Sequence, residues 1–120
     1  MKILIVDDSR AMRRIVQRTL RQAGFKGHDI VEAENGAEAF ELVKSEQPDL
    51  ILSDWHMPVM SGIEFKRALN DAEIATPFGF VTSENTQEMR EIAAEAGADF
   101  LLAKPFTPDD MAHALGLFVA

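Results

Sequence analysis

Five times along this chain a short apolar run gives way to a segment whose apolar residues recur at helical spacing. Runs that are apolar throughout suit parallel strands covered on both faces, and helical segments suit the crossovers between them. The runs fall at 2–6, 29–33, 49–53, 78–81 and 100–103, of which 29–33 is the weakest. Between them, 10–23 places Met12, Ile15, Val16, Leu20 and Ala23 on one side and the arginines on the other, with Gly24 beyond its end. The segment 37–45 carries Ala39, Phe40 and Val43, and 62–69 carries the Phe65/Leu69 pair. Met89, Ile92, Ala93 and Ala96 share a face over 87–96, again with a glycine, Gly97, after it. The last helix has Thr107 as N-cap, Pro108 at its first position and Asp109 and Asp110 in the first turn, and is expected to reach within a residue or two of Ala120. The alternation predicts an α/β fold, a doubly wound five-stranded parallel sheet with right-handed connections. At 120 residues it is expected to be a single domain, 1–120, with no effector domain.

Four of the runs end on polar residues: Asp7 and Asp8 after the first, Asp54 after Ser53, Thr82, and Lys104. Parallel strands bring their C-terminal ends to one edge, where open α/β sheets bind ligands. Three carboxylates, a hydroxyl and an ammonium are therefore expected to converge. Two carboxylates 4 Å apart repel by about 4 kcal/mol at an effective dielectric near 20, so a compensating cation is needed. An all-oxygen donor set suits Mg²⁺ rather than zinc, for which the chain offers neither cysteine nor clustered histidine. With a cation present, Asp54 can act as nucleophile toward a phosphoryl group, Thr82 can donate a hydrogen bond and Lys104 can neutralise charge. Lys104 precedes Pro105, and a cis bond there would aim the ammonium back across the strand ends.

These residues also carry a resemblance. VDDSRAMRRIV at 6–16, DWHMP at 54–58, VTSE at 81–84 and AKPFT at 103–107 resemble the receiver domains of two-component response regulators, over the whole chain and in the family's order. The resemblance implies a flavodoxin-like (βα)5 fold with strand order 2-1-3-4-5. It implies Asp54 as phosphoacceptor, Asp8 and Asp54 as direct Mg²⁺ ligands, the main-chain carbonyl of His56 as a third, and Asp7 as a ligand through water. Thr82 would be the switch hydroxyl and Lys104 the counter-charge, with a cis bond to Pro105. A sensor histidine kinase would be the phosphodonor and a phosphatase a further partner. Output would pass to a downstream protein through the face formed by the 87–96 helix, the last strand and the last helix. His56 and Glu84, each two residues beyond a site residue, would tune phosphate lifetime.

One departure stands out. The family usually has Tyr or Phe three residues before the lysine, and here that position is Leu101; Phe100, one residue off, is expected on the opposite face. His28 and His113 read as surface or partly buried residues. Trp55 reads either as a ring near the pocket or as packing, and Met57 and Met60 as packing.

Charge narrows the partners. The formal net charge is −8, which opposes general nucleic-acid binding. It is uneven: residues 1–26 hold seven Lys/Arg against two acids, net +5, and the rest holds five against 18, net −13. A solvated basic helix face explains this more simply than a docking patch. The first apolar stretch is too short to cross a membrane, and the composition fits a soluble, cytoplasmic protein. Two rival functions remain open on these residues: a pseudo-receiver acting only as an interaction module, and a phosphatase with an aspartyl nucleophile. A nucleotide-binding fold is disfavoured, since no GxxxxGK[ST] or GxGxxG loop follows the first run.

Overall fold

The computed structural model describes residues 1–118. Its elements are β1 (Lys2–Val6), α1 (Arg10–Gln22), β2 (Asp29–Ala33), α2 (Gly36–Glu46), β3 (Leu50–Ser53), α3 (Gly62–Asp71), β4 (Phe78–Thr82), α4 (Gln87–Glu95), β5 (Phe100–Ala103) and α5 (Pro108–Leu115). All strand pairings are parallel, in the order β2-β1-β3-β4-β5. The α/β architecture and strand order are those expected.

Strand alternation sorts the core into two layers. Leu4, Val6, Ile51, Phe78 and Phe80 meet Ala39 and Val43 of α2, Phe65 and Leu69 of α3, and Met89 and Ala93 of α4. Ile3, Ile5, Leu50, Leu52, Val81 and Leu102 meet Val16 and Leu20 of α1 and Met111 and Leu115 of α5. Most of these strand residues are under 2 % exposed, as a sheet covered on both faces requires.

Helix starts follow local chemistry. Ser9, Asn35, Ser61, Thr86 and Thr107 each cap a helix by accepting a backbone N–H, and Ser61/Glu64 and Thr107/Asp110 close full capping boxes. Gly24 and Gly97 stand just past α1 and α4 at φ 97 and 84, which a side chain would disfavour.

Three expectations need correction. Arg13 does not lie on the solvated side of α1: it is 8 % exposed, and its guanidinium donates to the Asp7 carbonyl oxygen at 2.7 Å and pairs with Glu32 at 2.9 Å. Ile15, expected inside, is 38 % exposed; the helix rolls so that the arginine, held by Glu32 and the Asp7 carbonyl, takes the buried place. The last helix stops at Leu115 instead of nearing Ala120, because the chain turns over 116–118 and Phe118 folds back on Phe100, ring centroids 5.7 Å apart. Residues 119–120, which that expectation included, lie outside the described residues.

Phe100 does face away from Leu101. It packs in the α1/α5 layer and Leu101 in the other. Phe100 is the register partner of Gly79, and a Cβ on Gly79 would sit 2.0 Å from its ring. Gly79 is therefore a socket for the ring. Gly79→Ala is expected to destabilise the fold by about 1–3 kcal/mol through overpacking, measured by urea unfolding. Combined with Phe100→Leu, which empties the socket, it should cost less than the sum of the two single changes.

Candidate phosphoryl and metal site

The sheet itself sets the site. Beyond the last paired residues, the Asp7 N–H donates to Ala33 O, the Asp54 N–H to Val6 O and the Lys104 N–H to Thr82 O. These bonds continue the ladders one residue past the strands, so the acidic and basic side chains stand on adjoining strand ends. One carboxylate oxygen from each of Asp7, Asp8 and Asp54 lies within 4.8 Å of the other two.

Lys104 crosses this cluster. Its Nζ lies 3.1 Å from Asp7 Oδ2 and 3.4 Å from Asp54 Oδ2. The lysine is followed by a cis bond to Pro105, as expected. Each spanned carboxylate has its second oxygen fixed by the backbone: Asp7 Oδ1 accepts the Ser9 N–H at 2.9 Å, and Asp54 Oδ1 accepts the Trp55 N–H at 2.7 Å. Asp7 is 4 % exposed, whereas Asp8 is exposed. Burial pushes the pKa of Asp54 above the usual carboxylate value; Lys104 opposes this, Asp7 adds to it, and the Trp55 N–H works against it. The pocket thus holds three carboxylates against one ammonium, and that imbalance favours a hard divalent cation bound through oxygen.

Thr82 is fully buried at the end of β4, with its hydroxyl accepting from the Glu84 N–H at 3.4 Å. It is joined to Lys104 through the backbone bond above. His56 is exposed, and its Nε2 lies 3.1 Å from Glu84 Oε1, so the β3–α3 and β4–α4 loops are bridged beside the site. Trp55 is 7 % exposed with its ring 4.6 Å from that of Phe80, which favours the packing reading. Met57 and Met60 pack against the same layer. His28 lies far along the chain's other edge, 3.1 Å from the N-terminal amine, and His113 is exposed on α5.

Four supporting residues were not singled out from sequence for the work they do. Arg13 fixes the Asp7 carbonyl, Ser9 fixes the Asp7 carboxylate, and Ser53 donates to the Asp54 carbonyl at 2.8 Å. Gly62 lets α3 approach the end of β3: its N–H donates to Trp55 O at 2.8 Å, and a Cβ there would be 2.0 Å from the Asp54 carbonyl oxygen. Only Gly62 carried a sequence signal, as a glycine at a helix start.

Comparison with known proteins agrees with this geometry. The response regulator receiver domain family model matches residues 3–116. A chemotaxis protein CheY homolog of Campylobacter jejuni is 39% identical over 111 residues, covering 90% of this chain and 84% of that protein. Chemotaxis protein CheY1 of Helicobacter pylori is 38% identical over 111 residues, covering 90% and 88%. The crystal structure of Vibrio cholerae chemotaxis protein CheY4 superposes with a TM-score of 0.85 at 34% identity, over 98% of each chain. Family match and superposition both span the strand ends where the acidic cluster stands, and the chain belongs to the response regulator receiver domain family, as a CheY-like phosphoacceptor of signalling.

Proposed function

We propose that Asp54 takes a phosphoryl group from the phosphohistidine of a sensor histidine kinase and that the phosphorylated chain changes its affinity for a protein target. The Lys104 ammonium lying across Asp7 and Asp54 carries this reading. An Asp54 oxygen attacks phosphorus, the P–N bond to the donor imidazole breaks, and an acyl phosphate forms. Lys104 is already within reach of the acceptor, so it can shift from carboxylate to phosphoryl oxygen as charge develops. Asp8 and Asp54 would hold Mg²⁺ directly, with the His56 carbonyl, and Asp7 would hold it through water. When bound, the cation neutralises negative charge on the transferred oxygens. Trp55 N–H and Ser9 N–H keep the acceptor and its neighbour from rotating away.

Output starts from Thr82 and Lys104. Their backbones are hydrogen-bonded at the last rung between β4 and β5, so drawing both side chains toward a phosphoryl group strains that rung directly. Leu101, in register with Phe80, has no ring to swing, and the reorganisation reaches the α4–β5–α5 face through the strand itself. A cleft of about 360 Å³ between β5 and α5, lined by Leu101, Ala103, Asp110 and His113, gives that face relief for a target to engage. A chemotaxis motor and a phosphorelay acceptor are both consistent targets, and CheY chemotaxis proteins are this chain's relatives.

Loss of the phosphoryl group requires water to reach phosphorus in line with the Asp54 oxygen. The His56–Glu84 bridge obstructs one approach. His56→Ala or Glu84→Ala is therefore expected to speed release of phosphate from the phosphorylated chain several-fold, followed by phosphate release after donor removal; unchanged rates in both would remove the bridge from the mechanism.

Intact-mass measurement after incubation with a small phosphodonor and Mg²⁺ tests the acceptor itself. One phosphoryl group is expected on the wild type and none on Asp54→Asn. Absence of addition to the wild type would favour the pseudo-receiver, and continuous turnover of many organic esters would favour a phosphatase.

A further inference from the structure

The opposite end of the sheet holds a lysine that the phosphoryl site does not use. Lys66 lies in the middle of α3 and is 5 % exposed. Its stem passes Phe78, with Nζ 5.7 Å from the ring centroid. Nζ donates to Asn70 Oδ1 at 2.8 Å, and Asn70 Nδ2 donates onward to the Ala96 carbonyl at 2.7 Å, tying α3 to the end of α4. An ammonium has three N–H groups to satisfy. Among the described residues Asn70 is the one hydrogen-bond acceptor for Lys66.

Lys66 lines a cleft of about 390 Å³, walled by Asn70, Glu73, Ile74, Thr76 and Asp99. Gly97 leaves the approach open, since a Cβ there would come to 3.9 Å from Nζ. Burial pushes the Lys66 pKa down, and Asp99 opposes that only in part. The amine is thus easier to deprotonate than an exposed lysine, and its side chain lines the cleft.

An anion site is the obvious use for a lysine, but Glu73 and Asp99 outnumber the single ammonium in the cleft. They also repel anionic acyl donors such as acyl phosphates. An uncharged electrophile is admitted without that repulsion. We propose that Lys66 is an acylation site, modified by an uncharged thioester that enters through the cleft.

The free amine attacks the thioester carbonyl carbon, the C–N bond forms and the C–S bond breaks. The thiolate leaves, and the proton shed by nitrogen passes through water to it. The product is compatible with its surroundings. The amide keeps one N–H for Asn70 Oδ1, so the tie from α3 to α4 survives, and the acyl chain lies beside Ile74. The buried positive charge disappears.

The test uses the whole folded chain and a small neutral thioester, S-acetyl-N-acetylcysteamine, at mildly alkaline pH, with early labelling of each lysine read by peptide mass spectrometry. Lys66 is expected to acquire label several-fold faster than the exposed Lys26 and Lys44, and to lose that lead in urea. Labelling of Lys66 no faster than those two, or a lead that persists after unfolding, overturns the proposal. Failure here leaves the reading of Asp54 untouched, because the two sites lie at opposite ends of the sheet.

Discussion

A single ammonium held between two carboxylates sets the terms for this molecule. Lys104 reaches Asp7 and Asp54 at 3.1 and 3.4 Å, yet the pocket contains a third acid, Asp8, so charge there is only partly compensated. Removing a charge from water costs several kcal/mol unless partners replace the solvent. The protein supplies some of them from its backbone, with the Ser9 and Trp55 N–H groups each holding one carboxylate oxygen. The remaining imbalance is what favours a hard cation bound through oxygen there.

The rest of the fold serves that arrangement. Side chains can converge only because β1, β3, β4 and β5 end together, and their ladders run one residue further than the strands. Beneath them, packed rows in both layers leave little freedom for a strand to slide. Arg13 anchors the Asp7 carbonyl from α1, and Gly62 brings α3 against the Asp54 carbonyl. A change at any of these positions would move the acidic cluster without touching its chemistry.

Sequence pattern made the strands, helices and strand-end residues legible because each follows a local rule: apolar runs, helical period, caps, and polar residues where a run stops. The family resemblance supplied strand order, which no local rule contains. What local rules missed was tertiary. Arg13 reads as one of several surface arginines until Glu32 and the Asp7 carbonyl are brought beside it. The early end of α5 depends on Phe118 meeting Phe100, and Phe100 in turn depends on Gly79 having no side chain. Lys66 belongs to the same class, since its burial follows from the packing of α3 against Phe78 and not from its neighbours in sequence.

Because burial raises the pKa of Asp54, the folded state binds that proton more readily than the unfolded chain does. The linkage is then fixed in sign: ionised Asp54 weakens the fold, fully so above its raised pKa, and the penalty fades as pH falls toward and below the ordinary value of 3.8. Thermal unfolding of the wild type and Asp54→Asn, compared with and without Mg²⁺ at neutral and acidic pH, reads this directly. In metal-free buffer at neutral pH, Asp54→Asn should unfold at the higher temperature, and its advantage should shrink on acidification. Mg²⁺ should stabilise the wild type and stabilise the variant less. A variant less stable than wild type at neutral pH, or an equal response of both to Mg²⁺, would contradict a charge-crowded cluster with Asp54 at its centre.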